Sequence, residues 1–381
     1  MRRLLAILLF ATLGVAPAPA GHATAPRWTV PIDSRTVDQW LVEDGHAVYG
    51  PRDGRLIALD MRTGKVLWRS EVAVTRRSAV HDGVVAAPTK DGLVFVSARD
   101  GRVLRKAGLG SEPLVASSQA GFASVTKAGR SEVDVRGWDD RGALRWTKRY
   151  DAPFGKLLML GGDAIGLTFE RNGRVLVLDA RDGKAVAQTD GIDELIGADG
   201  RYLWFNVIGG GIKGLDLDTT QTLALHGSVV RGAARVEHGV AVAVVDGRLQ
   251  SMDLRRNRIT PLHVDGRWVG GPSAGRIFIE RGDGMYVQGI SEGRARRVAT
   301  YRGESRLVAA DGRVGMIAME DGLIHVVDVV EPRPLATIAT PCRDYEGFAE
   351  SDGTTLVHCD GDANVSMLLA FPRYARSLGT Q

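Results

Sequence analysis

The chain has little of several features that define other classes of protein. Only two of its 381 residues are cysteines, 6% are aromatic, and the formal net charge is just +4 with no run of like charge. After the first residues, no apolar stretch approaches the roughly 20 residues that span a bilayer. These absences argue against a nucleic-acid binder and against a stable membrane span. The low aromatic content also argues against an envelope polysaccharide binder, which remains a third hypothesis.

The two cysteines, Cys342 and Cys359, are neither adjacent nor in a Cys-x-x-Cys pair. In an exported protein two cysteines usually pair, so we predict a disulfide between them. Two buried free thiols are the alternative. Because no cysteine precedes residue 342, the sequence offers no lipid attachment at a new N-terminus.

The first residues are typical of a secretory signal peptide. Arg2-Arg3 precedes an apolar run over residues 4–15, and Ala18-Pro19-Ala20 supplies small residues for cleavage. A retained anchor is the alternative, but the run is short for a membrane span. We predict a signal peptide over residues 1–20 and export to the periplasm, the cell envelope or the medium.

Glycine is abundant, with 48 residues, and its spacing is periodic. Glycines that separate two short apolar runs recur about every 38 to 39 residues, a period close to that of propeller blades. These are Gly45, Gly83, Gly121, Gly162, Gly200, Gly239, Gly275, Gly312 and Gly353. The sequence therefore contains nine repeat units.

The clearest unit runs through Asp53-Gly54, a tight hairpin turn, to Asp60, Gly64 and Trp68. In five units an Asp lies six residues after the second turn glycine, and we expect it to hydrogen-bond the backbone of the next turn. These residues are Asp60, Asp179, Asp216, Asp253 and Asp328. The predicted role is structural.

This pattern predicts an all-β protein, a single closed β-propeller of four-stranded blades over residues 26–373 with a C-terminal tail over residues 374–381. Helical periodicity and linker-like segments are nearly absent. Trp28 has the local sequence of an outer strand but precedes any complete unit. We expect its strand to complete the last blade and so close the ring.

Residues 53–68 resemble the repeat of pyrroloquinoline-quinone-type (quinoprotein-like) β-propellers, with weaker copies at residues 91–104, 172–185 and 321–329. The resemblance favours eight blades over the nine units counted. It also links the chain to a group that includes quinone-dependent dehydrogenases and the propeller scaffolds of outer-membrane assembly lipoproteins. Because members of that group share a fold but differ in activity, function must be argued from a site.

No catalytic constellation emerges from the sequence. Residues 209–214 match G-x-G-x-x-G formally, but a strand and turn follow where a dinucleotide site needs a helix. A quinoprotein enzyme would need a catalytic Asp, a Ca²⁺ site and often adjacent cysteines. A cofactor-dependent oxidoreductase of that type is the alternative function.

The favoured hypothesis is a non-catalytic module that binds a protein or peptide at one face of the propeller, or acts as a scaffold. We expect a monomer that needs no cofactor and no metal.

Overall fold

The computed structural model describes residues 25–32, 37–43, 45–51, 54–130, 132–151, 154–161, 163–169, 173–199, 201–229, 234–301, 305–311, 314–319, 322–342, 344–351, 353–360 and 366–372. The predicted signal peptide and C-terminal tail lie outside these residues, as do Asp53 and the repeat glycines Gly162, Gly200 and Gly312. The described residues form strands and turns and contain no helix. Accordingly, this part of the chain has no helix that could cross a membrane.

The described residues form 36 strands. The first four blades follow an initial strand, β1 (Trp28–Ile32), and comprise β2 (Val37–Glu43), β3 (His46–Pro51), β4 (Arg55–Asp60) and β5 (Val66–Ala73); β6 (Ala79–His81), β7 (Val84–Thr89), β8 (Gly92–Ser97) and β9 (Val103–Gly108); β10 (Leu114–Ser118), β11 (Gly121–Lys127), β12 (Glu132–Trp138) and β13 (Leu144–Asp151); β14 (Phe154–Gly161), β15 (Ala164–Phe169), β16 (Arg174–Asp179) and β17 (Ala185–Thr189).

The remaining blades comprise β18 (Ile192–Asp199), β19 (Tyr202–Val207), β20 (Ile212–Asp216) and β21 (Thr222–Leu225); β22 (Arg235–Glu237), β23 (Val240–Val245), β24 (Arg248–Asp253) and β25 (Arg258–Pro261); β26 (Arg267–Ser273), β27 (Arg276–Arg281), β28 (Gly284–Gly289) and β29 (Ala295–Thr300); β30 (Ser305–Asp311), β31 (Val314–Met319), β32 (Leu323–Asp328) and β33 (Arg333–Ala339); β34 (Asp344–Ser351), β35 (Thr354–Asp360) and β36 (Ser366–Pro372).

These strands form nine four-stranded antiparallel sheets, which are the blades of a β-propeller. The innermost strand of each blade contacts that of the next blade, and β2 of blade 1 contacts β34 of blade 9, so the ring is closed. The nine units counted in the sequence are thus confirmed as nine blades. The count exceeds by one the eight that the resemblance favours.

The exchange of one strand between the ends of the chain is also confirmed. Blade 9 has the strand order β1-β36-β35-β34, and β1 runs antiparallel to β36 with Trp28 opposite Ala370 and Ile32 opposite Ser366. The outer strand of the last blade therefore comes from the beginning of the chain. No blade is left with three strands, so β36 is not exposed as an outer edge strand.

The core lies between the blades. The second and third strands of a blade are apolar runs buried on both sides, as in β7 and β31, because a neighbouring blade covers each of their faces. The described buried residues form nine hydrophobic clusters, one at each interface between neighbouring blades. Outer strands such as β9 are largely exposed.

The antiparallel order sorts the turns onto two faces. We call the lower face the one that carries the turns between the first and second and between the third and fourth strands of each blade. The upper face carries the turns between second and third strands and the links from one blade to the next. β1 begins and β36 ends at the lower face, so both ends of the described propeller lie on that side.

Candidate functional site

The five aspartates of the repeat lie at the ends of third strands, at the lower face. Each carboxylate oxygen accepts a hydrogen bond from a backbone N–H of the turn that follows. The pairs are Asp60 with Thr63 (2.7 Å), Asp179 with Arg181 (2.8 Å), Asp216 with Asp218 (3.0 Å), Asp253 with Arg256 (3.2 Å) and Asp328 with Val330 (3.0 Å). These contacts hold the lower turns in place.

A sixth aspartate, Asp139, makes the same contact in the third blade, where its Oδ1 accepts from the N–H of Arg141 at 2.9 Å. The repeat does not predict this aspartate, because the position six residues before it is Val133 where the other five units have a turn glycine. Its position three residues before Gly142, comparable to that of Asp60 before Gly64, is the signal that could have found it.

Three tryptophans make the same contact from one blade to the next. The indole Nε1–H of Trp68 in blade 1 donates to the carbonyl of Ala98 in blade 2 at 2.9 Å, and the ring lies against Gly101. Trp28 and Trp146 make the equivalent contacts to the next blade, donating to the carbonyls of Met61 and Ala180 at 2.9 and 2.8 Å. The repeated Trp and the repeated turn glycine are therefore two halves of one contact.

The glycine is required at this contact for two reasons. Gly64, Gly101 and Gly183 have φ of 69°, 73° and 69°, in the left-handed region that other residues avoid. A Cβ on Gly101 would also approach within 2.7 Å of the Trp68 ring. The spacing of the first repeat marks Gly64 and Trp68, but it does not predict that these glycine and tryptophan positions of neighbouring blades touch.

Cys342 and Cys359 are joined by a disulfide with a Cα–Cα distance of 5.7 Å. Cys342 follows the last strand of blade 8, and Cys359 lies near the end of β35 in blade 9. Both are buried in the cluster between these blades. The disulfide thus covalently links the last two blades.

A recess of about 610 Å³ opens on the upper face beside blade 5. It is lined by Asp193, by residues 206–211 and by residues 227–229, and we call it the glycine recess. Residues 208–211 form the turn between β19 and β20, and residues 227–229 follow β21 on the way to blade 6. Neither in the recess nor elsewhere do the described residues contain a group of three His, Cys, Asp or Glu able to hold a metal ion.

Asn206 is the polar residue buried in the recess. It occupies the next-to-last position of β19, and only 9% of its surface is exposed. Its side-chain oxygen is fully buried and has no hydrogen-bond partner in the structure. A buried acceptor left without a donor costs about 1–3 kcal/mol, so this oxygen is either a local defect or a contact point for a ligand.

The turn at the mouth of the recess is made of Gly209, Gly210 and Gly211, all with positive φ. A Cβ on Gly210 would come within 2.8 Å of the carbonyl of Gly227, and one on Gly211 within 2.4 Å of the carbonyl of Leu225. Beside them Ile208 is 58% exposed. The glycines therefore let two turns approach closely, and an apolar side chain stands at the rim.

The same turn explains the formal G-x-G-x-x-G match. It joins two antiparallel strands, β19 and β20, and no helix starts there. A dinucleotide site needs such a helix for the pyrophosphate, so the sequence-based rejection of this motif is confirmed.

Asp193 is the charged residue among the described residues that line the recess. It lies where the pairing of β18 with β19 shifts register, between the pairs Ile192–Val207 and Glu194–Asn206. A bulge of this kind re-aims a side chain and is common beside binding sites. The recess consequently combines a carboxylate, a buried amide oxygen and an exposed aliphatic side chain, with no cationic group in its described lining.

The fold defines the class: the chain is a nine-bladed β-propeller. Residues 22–137 match the family described as outer membrane protein assembly factor BamB.

Three solved structures are similar to this chain. BamB from Moraxella catarrhalis is 16% identical over 90% of this chain and 98% of its own, with a TM-score of 0.47. The computationally designed protein Ika8 is 14% identical over 89% and 97%, with a TM-score of 0.49. Sqt1 from Saccharomyces cerevisiae is 12% identical over 77% and 95%, with a TM-score of 0.46. No curated protein matches the chain.

Proposed function

We propose that the protein is an exported, non-catalytic propeller that binds a protein or peptide segment at its upper face and serves as a scaffold in the cell envelope or outside the cell. The observation that carries this proposal is the glycine recess, with its unpartnered acceptor and exposed apolar rim. The match of residues 22–137 to an outer membrane protein assembly factor supports the same kind of role. The mature protein acts as a monomer and needs no cofactor.

The N-terminal sequence supports the exported location. Residues 1–20 form the signal peptide, residues 26–373 the propeller and residues 374–381 a tail. N-terminal sequencing of the protein from its own cells tests this assignment, and the expected mature protein begins directly after Ala20. A retained Met1 would contradict export by this route.

Site-specific photocross-linking in intact cells tests the binding face. A photoreactive residue replaces Ile208, which is 58% exposed at the rim of the glycine recess. The matched control replaces Leu144, another aliphatic residue, 52% exposed on an outer strand of blade 3. Position 208 should give a discrete adduct with a second polypeptide, and position 144 should give none. Equal adducts from both positions, or none from either, would refute upper-face binding.

A further inference from the structure

The chemistry of the glycine recess specifies what part of a partner can enter it. Asn206 presents a buried oxygen with no hydrogen-bond partner. An amide oxygen accepts hydrogen bonds and cannot donate them. A ligand that satisfies this oxygen must therefore bring an N–H or O–H group into the recess.

The charge of the recess further restricts which ligands can bind there. The charged residue in the described lining is Asp193, and no Lys or Arg accompanies it there. Asp193 also interacts within the protein. A carboxylate has about four acceptor sites, however, and can hold more than one donor. An anionic ligand would be repelled by this carboxylate, whereas a cationic donor would be attracted.

The rim favours a long side chain with an apolar stem. Ile208 offers exposed aliphatic surface against which methylene groups can pack. The recess of about 610 Å³ is within the range of ligand pockets. Its described lining contains no aromatic ring, the usual platform for a sugar, which argues against a saccharide.

From these three observations we infer that the glycine recess receives an arginine side chain of the partner polypeptide. The planar guanidinium carries five N–H donors and no acceptor, so it can donate to a carboxylate and to an amide oxygen at the same time. It is also more weakly hydrated than the lysine ammonium group and so enters a partly buried site more readily. This inference rests on the proposed peptide-binding function and names the group that the site recognises.

Calorimetric titration of the purified mature protein tests the inference. The probe is the blocked peptide acetyl-Gly-Arg-Gly-amide, and its control is the same peptide with citrulline, which has the arginine shape without the charge. The arginine peptide should bind at least about tenfold more tightly, as expected for hydrogen bonds to a charged group. Free L-arginine, whose α-carboxylate brings a negative charge into a recess that holds Asp193, should bind more weakly than the blocked peptide.

Three variants locate the contact. Asp193→Asn and Asn206→Leu should each weaken the arginine peptide about tenfold. Asp190→Asn, which removes the same charge three residues away and outside the recess, should change affinity less than twofold. Asn206→Leu should keep or raise the unfolding midpoint, because methyl groups replace an unpartnered buried oxygen.

Several outcomes would overturn the inference. These are equal binding of the arginine and citrulline peptides, an equal effect of Asp190→Asn and Asp193→Asn, tighter binding of free arginine, or a lowered midpoint with unchanged affinity in Asn206→Leu. Ca²⁺ that binds at the recess and displaces the peptide would also overturn it, because the oxygens would then be metal ligands. If the cross-link at position 208 forms while the arginine peptide does not bind, the proposed function stands and only the ligand assignment fails.

Discussion

The contact between Trp68 and Gly101 allows the energetic cost of disturbing the packing between two blades to be measured with one substitution, Gly101→Ala, which adds a single methyl group. Gly101→Ala combines two costs, backbone strain at φ 73° and a Cβ placed 2.7 Å from the indole. Gly83→Ala, in the same blade, is the matched control. Its φ is 71°, and nothing lies within 4 Å of the added Cβ. The control therefore carries the strain without the contact.

The two variants should differ by the cost of the contact. A non-glycine residue in the left-handed region costs about 1–2 kcal/mol, which is the whole effect expected for Gly83→Ala. Overpacking against a fixed ring adds about 1–3 kcal/mol, so Gly101→Ala should cost about 2–5 kcal/mol in total. In a Trp68→Ala background the ring is gone, and Gly101→Ala should then cost only about 1–2 kcal/mol.

Urea unfolding followed by far-ultraviolet circular dichroism measures these free energies without relying on the fluorescence of Trp68 itself. The four proteins of the double-mutant cycle and the Gly83→Ala control are compared under one set of conditions. Equal destabilisation by Gly83→Ala and Gly101→Ala would refute the contact. So would a cost of Gly101→Ala that does not change when Trp68 is removed.

Three further predictions concern the links that stabilise the ring. Reduction of the Cys342–Cys359 disulfide, which spans 17 residues, should cost about 3 kcal/mol of unfolding free energy; an unchanged urea midpoint with and without reductant would contradict this. Hydrogen bonding from Arg149 holds the pKa of Asp134 below its usual range, so the stabilisation that this carboxylate provides is complete above its unfolded-state pKa of about 4 and is lost as the pH falls through the lower native value. When urea unfolding midpoints are measured over a pH series, the midpoint of Asp134→Asn should fall less on acidification than that of the wild-type protein. An equal fall in the two proteins would rule the effect out. Trp28→Ala should make limited proteolysis begin near β1, since the Nε1–H bond to blade 1 is removed; cleavage that starts at the same site in both proteins would show that this strand is held by other contacts.

Much of the fold could be predicted because each repeat unit carries recognisable residues at fixed spacings. Turn glycines with positive φ, such as Gly45 and Gly83, mark where strands end, and their spacing gives the number of blades directly. The role of Trp28 in closing the ring followed from its position before the first unit. Each of these signals depends on a few neighbouring residues.

The candidate site could not be predicted in the same way. That the oxygen of Asn206 has no partner is a property of side-chain packing in the folded chain, which spacing along the sequence does not encode. Asp193 faces the recess because of a register shift between two strands, and a register shift is a property of pairing. The glycine run at residues 209–211 was visible, but its pattern suggested a nucleotide motif that the topology excludes.

The exchanged strand gives the ring a particular response to mechanical load. β1 and β36 are antiparallel neighbours, with Trp28 opposite Ala370 at the lower face and Ile32 opposite Ser366 at the other end. A pull applied through the residues just before Trp28 and just after Pro372 acts on this pair from one end, so its hydrogen bonds break one after another instead of sharing the force. The β1–β36 pair should therefore separate at low force while the other blades stay folded. The ring would then open at blade 9 and leave the remaining blades joined in sequence.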